Sequence, residues 1–360
     1  MAAWRLAKRG HPVTLVDPAL APGSPSSLSG SQAALGVLIA RVFHRSSGRA
    51  WRLRQRSHSL WEEWLAELER RGHRLPRRRG LLLLAATADE LARQERIAAD
   101  RARLGIPVRL LPPDALKELC LGVPDQALGG LLSPEDGQVD PLPVLEALLQ
   151  EALQAGATCV AEAAVAVERG SGKRWRLLLA GGGALEADWL VLTPGLGTTP
   201  LLAGLGHALP LEPVLGQALE LELADEPGWN WPGVVVWRGV NLVPRPDLDG
   251  GGRRLWLGAT LEPGDRAGAS ALEELRGLGG EAPPWLREAR VVRHWQGLRC
   301  RPIGQPAPVL AEPEPGLLLA TGHYRNGVLL APATAEWLCG LIQGMEREGP
   351  NPAAHLRLDH

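Results

Sequence analysis

The chain is poor in residues that would mark several classes of protein. Its 360 residues include one Phe, one Tyr and four cysteines. The cysteines lie far apart and form no Cys-x-x-Cys pair, which argues against a zinc site and favours a reducing compartment. No apolar run is long enough to cross a membrane, and no secretory signal pattern opens the chain. We therefore expect a cytoplasmic protein without a membrane partner.

A net charge of either sign is also lacking. The 39 Lys and Arg residues balance 40 Asp and Glu residues, which leaves a formal charge of -1. Nucleic acid is not expected as a partner, because no global field attracts it. The basic stretch from Arg70 to Arg79 is predicted to be a solvated loop, with nucleic-acid contact as the alternative. A homo-oligomer is compatible with the sequence, which does not determine the oligomeric state.

The opening residues are typical of the second half of a βαβ unit. A helix from Met1 to Arg9 ends at Gly10, and the apolar strand Val13 to Asp17 follows. Asp17 at the end of such a strand can accept hydrogen bonds from a ribose, although it can equally cap the next turn. The glycine-rich phosphate loop of this unit is expected upstream of Met1, which would then be an internal residue of the first helix.

The rest of the chain alternates between two kinds of pattern. Helix and buried strand alternate near both ends and again between residues 140 and 194. Residues 219–260 are instead predicted to form short strands, the first of which has one polar face. Such alternation predicts a mixed α/β fold with two interleaved domains. One of the domains is expected to contain an antiparallel sheet.

Two short segments near the C-terminus could carry chemistry. In the first, Trp295 to Arg299, an arginine leaves a strand and could grip a carboxylate through two parallel hydrogen bonds. Taken alone, a surface ion pair is the favoured alternative. The second, Gly322 to Gly327, joins a strand to the last helix; its glycines admit a flat ligand and the helix start offers N–H groups. An ordinary strand-to-helix turn is an equal alternative, and His323 is expected to be structural rather than a base.

Together these segments resemble the D-amino-acid oxidase superfamily, and most closely the glycine oxidases of the thiamin pathway. The resemblance covers nearly the whole chain. It is most specific at Trp295 to Arg299 and at Gly322 to Pro332. It also includes the opening helix and four further segments: Ser31 to Leu38, Asp136 to Pro141, Pro213 to Gln217, and Leu242 to Arg245.

The resemblance implies a glutathione-reductase-like FAD domain and a substrate domain with a large antiparallel sheet. The FAD domain would comprise residues 1–48, 138–205 and 296–360, and the substrate domain residues 49–137 and 206–295. The implied cofactor is noncovalent FAD, since Cys300 lacks the sequence context of a covalent flavin link.

The resemblance also implies roles for particular residues. Arg299 matches the carboxylate-binding arginine, and Arg325 matches a second active-site arginine. Asn241 and Leu261 occupy substrate-side positions where glycine oxidases carry Tyr and, in some cases, Met. These departures bear on the substrate more than on the reaction class. The implied FAD contacts lie at strand ends, in glycine turns and at the start of the last helix: Asp17, Ala34, Leu35, Gly36, Val165, Gly195, Gly322, Asn326, Gly327, Val328 and Leu329.

The implied reaction is the oxidative deamination of a small amino acid, preferably glycine. It yields a 2-oxo acid and ammonia, with molecular oxygen as the acceptor that becomes hydrogen peroxide, and it would supply thiazole synthesis. No general base is required, so orientation and electrostatics would carry the catalysis. Two alternatives remain open: a flavin dehydrogenase that uses another electron acceptor, and a non-catalytic chain.

Overall fold

The computed structural model describes residues 1–21, 29–119, 121–172, 174–248 and 252–346. The chain forms two compact units. Unit 1 comprises Met1–Gln32, Leu145–Val214 and the described residues from Leu298 onward. Unit 2 comprises Ala33–Val144 and Leu215–Gly297. Each unit is thus assembled from separate stretches of the chain, and we describe the two in turn.

The described residues contain both short runs of consecutive strands and single helices between them. The helices are α1 (Ala2–Ala7), α2 (Gly48–Arg70), α3 (Ala88–Arg103), α4 (Pro113–Lys117), α5 (Pro141–Gln154), α6 (Thr198–Ala203), α7 (Ala269–Gly277), α8 (Pro284–Glu288) and α9 (Gly327–Glu346). The strands are β1 (Thr14–Val16), β2 (Val37–Leu38), β3 (Arg77–Ala85), β4 (Arg109–Leu111), β5 (Gly129–Val139), β6 (Thr158–Val160), β7 (Ala164–Arg169), β8 (Trp175–Leu179), β9 (Ala184–Ala187), β10 (Leu190–Leu192), β11 (Leu211–Glu222), β12 (Val234–Trp237), β13 (Val240–Pro244), β14 (Arg254–Gly258), β15 (Glu262–Pro263), β16 (Arg290–Pro302), β17 (Val309–Glu314) and β18 (Leu317–Thr321). None of the helices in the described ranges is both long and apolar enough to cross a membrane.

Unit 1 contains short parallel strand pairs and an antiparallel meander. Strand β1 pairs with β6, β10 pairs with β18, and both pairs are parallel. Strand β17 adds to β18 in the antiparallel sense, and β7, β8 and β9 form the meander. Helix α1 packs against α9. The unit has its own apolar core, in which Leu317 is fully buried. Parallel strands joined through helices are the pattern expected of a nucleotide-binding unit.

Unit 2 is built on a mixed sheet. Its strands follow the order β15-β11-β14-β13-β12-β3-β5-β2, with β16 paired to β11 and β4 paired to β5. The pairs are antiparallel except for β12 and β3, which run parallel. Buried aliphatic and indole side chains, Trp231 and Trp237 among them, pack into its largest core cluster. The large antiparallel component matches the sheet that the sequence predicted.

Several predicted elements differ from the structure at their ends. Helix α1 ends at Ala7 and is therefore shorter than the predicted helix from Met1 to Arg9. Helix α2 begins at Gly48. The prediction that the whole basic stretch is a loop was wrong, because β3 begins at Arg77. Arg78 is not simply solvated there: its guanidinium donates to the carbonyls of Trp229 and Trp231 at 3.0 and 2.7 Å.

Strand β5 was not predicted, because Ser133, Pro134 and Gly137 resemble a turn. The pairing between β3 and β5 shifts its register there, so that Leu81 faces Ser133 but Arg79 faces Gly137. The additional residues form a bulge, which allows a proline to lie inside a paired strand. The bulge also places Asp136 in the interior.

The expected domain boundaries differ from the observed units at several places. Residues 33–48 and 138–144 were expected with the FAD domain, yet they group with unit 2. The physical reason is pairing: Val37 and Leu38 of β2 hydrogen-bond to β5. Conversely, residues 206–214 group with unit 1, where Ile303 N donates to Pro210 O at 3.0 Å.

Asp136 is the central polar group of unit 2. Its side chain is completely buried. The carboxylate accepts hydrogen bonds from the backbone N–H groups of Ala40, Arg41 and Val42 at 2.7 to 3.1 Å. A buried carboxylate is tolerated only when its lone pairs are satisfied in this manner. Asp136 therefore fixes the residues that follow β2 to the bulge of β5.

We predict that Asp136→Asn destabilises the protein by about 2–4 kcal/mol, because an amide N–H would then face buried N–H donors. The free energy of unfolding in urea measures this effect. Asp114→Asn is the matched control, since Asp114 is exposed and pairs with Lys117 at the surface. An equal urea midpoint for the two variants would refute the importance of Asp136.

Candidate active site

Asp17 lies at the end of β1 and caps the turn that follows. Its Oδ1 accepts a hydrogen bond from Ala19 N at 2.8 Å, and its own N–H donates to Val160 O. The capping alternative is therefore observed, and it uses one carboxylate oxygen of an exposed side chain. Val165 on β7 is likewise accessible, with 55% of its surface exposed. A ribose role for Asp17 and an adenine-side role for Val165 remain predictions.

Arg299 lies near the end of β16 and is half-buried. A close backbone approach occurs beside it: a Cβ added to Gly30 would lie 2.8 Å from Leu298 O. A glycine is required there, since no side chain fits between the two chain segments. Residues 29–32 and the end of β16 are thus held together around Arg299 within unit 1.

Two glycine turns of unit 1 meet at Cys300, the residue after Arg299. Gly195 and Gly322 both adopt positive φ angles, +60° and +65°, which favour glycine. A Cβ at Gly195 would lie 3.9 Å from the Cβ of Cys300. The Cys300 thiol hydrogen-bonds to Thr321, and the backbone N–H of Gly322 donates to it. Cys300 therefore lies beside both turns and directly follows the predicted carboxylate-binding arginine on β16.

Two buried threonine hydroxyl groups connect the same turns. Thr198 Oγ1 donates to Gly195 O at 2.8 Å, and Thr321 Oγ1 lies 3.2 Å from both that carbonyl and the Thr198 hydroxyl. The sequence analysis did not identify these threonines. The only local signal was the position of Thr321 directly before Gly322, at the end of a strand.

The turn after Gly322 leads into the longest helix of unit 1. A short 3-10 turn, Tyr324–Asn326, precedes α9, which begins at Gly327. The backbone at the start of a 20-residue helix carries a positive partial charge suited to an anionic ligand edge. Arg325 is exposed and forms no ion pair with another described residue. His323 hydrogen-bonds to Thr334 at 2.9 Å, in line with the structural role expected of it.

In unit 2, the segment from Ala34 to Gly36 is held close to the end of β5. Gly36 has a φ of +74°, and a Cβ there would lie 1.7 Å from Val139 O. Val139 N donates to Gly36 O at 3.0 Å. No residue other than glycine fits at this approach. Leu35 is buried in the adjacent core cluster, so the backbone of this segment has one defined position.

Asn241 lies opposite Gly258 in the antiparallel pair of β13 and β14. Its Nδ2 donates to Gly258 O at 3.1 Å. A Cβ at Gly258 would lie 3.0 Å from Leu35 Cδ1 and from Ala218 Cβ. Unit 2 therefore brings a predicted flavin-contacting residue, Leu35, close to the strand pair that carries a predicted substrate-side residue.

Leu261 projects from a turn whose neighbouring side chains are fixed. It is 51% exposed, whereas Gln217 and Thr260 are buried. Gln217 Nε2 donates to Glu262 at 3.0 Å, Gln217 N donates to the Thr260 hydroxyl at 2.8 Å, and Gly268 N donates to Glu262 at 2.6 Å. An exposed leucine on a rigid turn is suited to contact a small ligand.

The chain is similar to known flavoenzymes over most of its length. The family described as FAD dependent oxidoreductase matches residues 1–341. The glycine oxidase of Geobacillus kaustophilus is 31% identical over 351 residues, 95% of this chain and 89% of that protein. The glycine oxidase of Pseudomonas putida is 39% identical over 171 residues, 46% of this chain and less than half (44%) of that protein. The crystal structure of the Geobacillus kaustophilus enzyme superposes with a TM-score of 0.84 at 27% identity, covering 100% of this chain and 95% of that one.

This chain belongs to the family of FAD-dependent oxidoreductases. The predicted membership of the D-amino-acid oxidase superfamily and the predicted mixed α/β flavoprotein fold are confirmed. So is FAD as the cofactor of the family.

Each unit, taken by itself, contains backbone that fits part of a flavin. In unit 1, the positive φ values at Gly195 and Gly322 leave their turns without side-chain bulk, and α9 starts a few residues later. In unit 2, Gly36 presents bare backbone for the same reason. Bare backbone N–H groups and a helix start suit a flat ring that carries negative charge along one edge.

We predict that Gly322→Ala weakens FAD binding by at least about tenfold, because a Cβ would lie 2.7 Å from Pro302 Cγ and displace the turn. Fluorescence titration of the apoprotein with FAD measures this. Gly304→Ala is the matched control: its φ of +72° carries similar strain, but nothing lies within 4 Å of the added Cβ. FAD affinities that fall equally in both variants would contradict a role of the Gly322 turn in flavin binding.

Burial raises the pKa of the Cys300 thiol, despite its bonds from Thr321 and Gly322. We therefore predict that iodoacetamide alkylates Cys300 more slowly than the exposed Cys159 at pH 8, because the thiolate is the nucleophile. The folded state favours the neutral Cys300 thiol. The stabilisation of the fold by this thiol is therefore present below the ordinary thiol pKa and is lost at higher pH. Peptide mass spectrometry over time gives both rates; faster labelling of Cys300 would be the contrary result.

Proposed function

We propose that this protein is an FAD-dependent oxidase of small amino acids, with glycine as the preferred substrate. The substrate and water would be converted to a 2-oxo acid and ammonia while oxygen is reduced to hydrogen peroxide. For glycine the oxo acid is glyoxylate, or the imine enters thiamin thiazole synthesis. The observation that supports this proposal best is that Cys300, which directly follows Arg299 on β16, lies beside both glycine turns.

Arg299 would hold the substrate carboxylate. A guanidinium offers two parallel N–H donors, which fix the plane of a carboxylate as well as its position. Arg299 is half-buried, so partial desolvation strengthens this ion pair relative to one in open water. Holding the carboxylate in one plane also restricts the direction of the α-carbon hydrogen. Orientation of this kind supplies much of a rate enhancement when no proton has to be removed by a side chain.

The turns at Gly195, Gly322 and the start of α9 would hold the isoalloxazine ring. When bound, FAD would supply two-electron chemistry: a hydride, which carries both electrons, would pass from the substrate α-carbon to the ring, and the two electrons would then pass to oxygen. The α9 N-terminus would supply positive partial charge where the ring gains negative charge. Arg325 precedes that helix, and its exposed guanidinium adds a full positive charge in the same turn. The residues of unit 1 thereby favour the reduced state of the ring.

Unit 2 would select a small substrate. Asn241 Nδ2 donates a hydrogen bond to Gly258 O. The Oδ1 atom of Asn241 could therefore accept a hydrogen bond from the substrate amine. Such a bond would orient the amine of the substrate. Leu261 on its rigid turn would limit the size of the side chain or of the amine substituent.

The purified protein should be yellow and should release hydrogen peroxide when glycine or sarcosine is added. Peroxide coupled to a peroxidase dye measures the activity, and glyoxylate from glycine identifies the product. A yellow protein that is silent with both amines would reject the substrate assignment. Turnover with an artificial electron acceptor but not with oxygen would instead indicate a dehydrogenase.

We predict that Arg299→Lys lowers kcat/KM for glycine by at least about tenfold, because lysine cannot form the paired hydrogen bonds. Arg176→Lys is the matched control, since Arg176 is an exposed surface residue that pairs with Glu168. The activity of the Arg299 variant with an amine that has no carboxylate should fall much less. Equal losses with both kinds of amine would argue against a carboxylate-binding role.

A further inference from the structure

Trp295 lies on β16 and makes a hydrogen bond to a distant part of unit 2. Its indole Nε1 donates to the backbone carbonyl of Ala33 at 3.0 Å. Ala33 directly precedes the segment from Ala34 to Gly36, which the family resemblance predicts to contact the flavin. The bond therefore joins β16 to the residue just before that segment.

The Trp295 ring is itself held by a column of aromatic and cationic side chains. It packs edge-on against Trp256, with ring centroids 5.4 Å apart, and the Arg293 guanidinium lies 4.5 Å from its ring centre. On Trp256 lies the fully buried Arg245, 3.8 Å from that ring centre. Cation–π and edge-to-face contacts of this kind favour one ring orientation.

The column ends in two ion pairs of the buried Arg245. Arg245 contacts the carboxylates of Asp140 and Asp247, and Asp140 also caps the start of α5 by accepting from Leu142 N at 3.1 Å. Since a buried guanidinium must keep its carboxylate partners, Arg245 cannot move without a large cost. The indole N–H of Trp295 is consequently directed at Ala33 by contacts that reach the core of unit 2.

The segment from Ala33 to Gly36 is fixed at both ends. At its start, the Ala33 carbonyl accepts the indole N–H. At its end, Gly36 O accepts from Val139 N, and the missing Cβ of Gly36 permits the close approach to Val139 O. Between them, Leu35 is buried. The glycine end depends on backbone alone, whereas the other end depends on one side chain.

We propose that Trp295 is a positioning residue for the flavin-contacting segment. This inference rests on the proposed function, because it requires a bound flavin and the predicted contacts of Ala34, Leu35 and Gly36 with its ring. The indole N–H sets where their backbone groups meet the ring, and thereby sets the affinity for FAD and the reduction potential of the bound flavin. The side chain itself does not take part in the reaction.

Trp295→Phe tests the proposal, since it removes the N–H but keeps an aromatic ring against Trp256. We expect FAD affinity to fall by about three- to tenfold, the effect of one lost hydrogen bond, with a shifted midpoint potential and visible spectrum. Trp285→Phe is the matched control, because Trp285 is also half-buried and its Nε1 donates to Gly122 O at 2.8 Å, away from the segment. That variant should keep the affinity, spectrum and potential of the wild type.

Equal FAD affinity and potential in the two variants would overturn the proposal. If Trp295→Phe does not fold, 3-benzothienylalanine at position 295 keeps the shape of the indole without its N–H, and the same outcomes apply. These readouts separate the two proposals: a wild-type protein that binds FAD but releases no peroxide with glycine or sarcosine contradicts the substrate assignment, whereas unchanged flavin properties in the Trp295 variants contradict the positioning role alone.

Discussion

The buried carboxylate of Asp136 is the interaction on which the organisation of unit 2 depends. It accepts three backbone N–H groups from residues 40–42, and it can do so only because the bulge in β5 turns it inward. An unsatisfied carboxylate in that position would cost more than most single contacts contribute. The satisfied one fixes the path of the chain just after β2. The approach of Gly36 to Val139 then follows from the same pairing of β2 with β5.

Missing side chains matter as much in this protein as present ones. Gly36 and Gly30 stand where a Cβ would meet a backbone carbonyl, and a Cβ at Gly322 would meet the ring of Pro302. Each allows two chain segments to approach closely while leaving backbone groups available to a ligand. In unit 1, the hydroxyl groups of Thr198 and Thr321 and the thiol of Cys300 lie between the turns at Gly195 and Gly322. In unit 2, the indole N–H of Trp295 and the backbone N–H of Val139 hold the two ends of the segment from Ala33 to Gly36. Rigid backbone, rather than a catalytic base, is the common product of both arrangements.

Much of the fold was accessible from local sequence patterns, because those patterns have local causes. Strands β6, β12 and β18 are each a short apolar or β-branched run between turn residues, a pattern that predicts a strand. Strand β5 was not predicted, because Pro134 and Gly137 normally end strands and the bulge that accommodates them depends on β3. The grouping of residues 33–48 with unit 2 also depends on pairing with a strand about a hundred positions away.

By itself, the sequence determined the family, the kind of fold and the turns that require glycine, because motif, hydrophobic period and positive φ are properties of short segments. Only the tertiary structure decided which of these segments meet. Nothing in the spacing of Arg299, Gly195 and Gly322 shows that one residue, Cys300, lies beside both turns. Likewise, nothing near Trp295 shows that its N–H reaches Ala33, 262 residues away. Hydrogen bonds between residues so far apart in the sequence form only after the strands have paired. Their partners are therefore set by the topology of the fold and not by local preference.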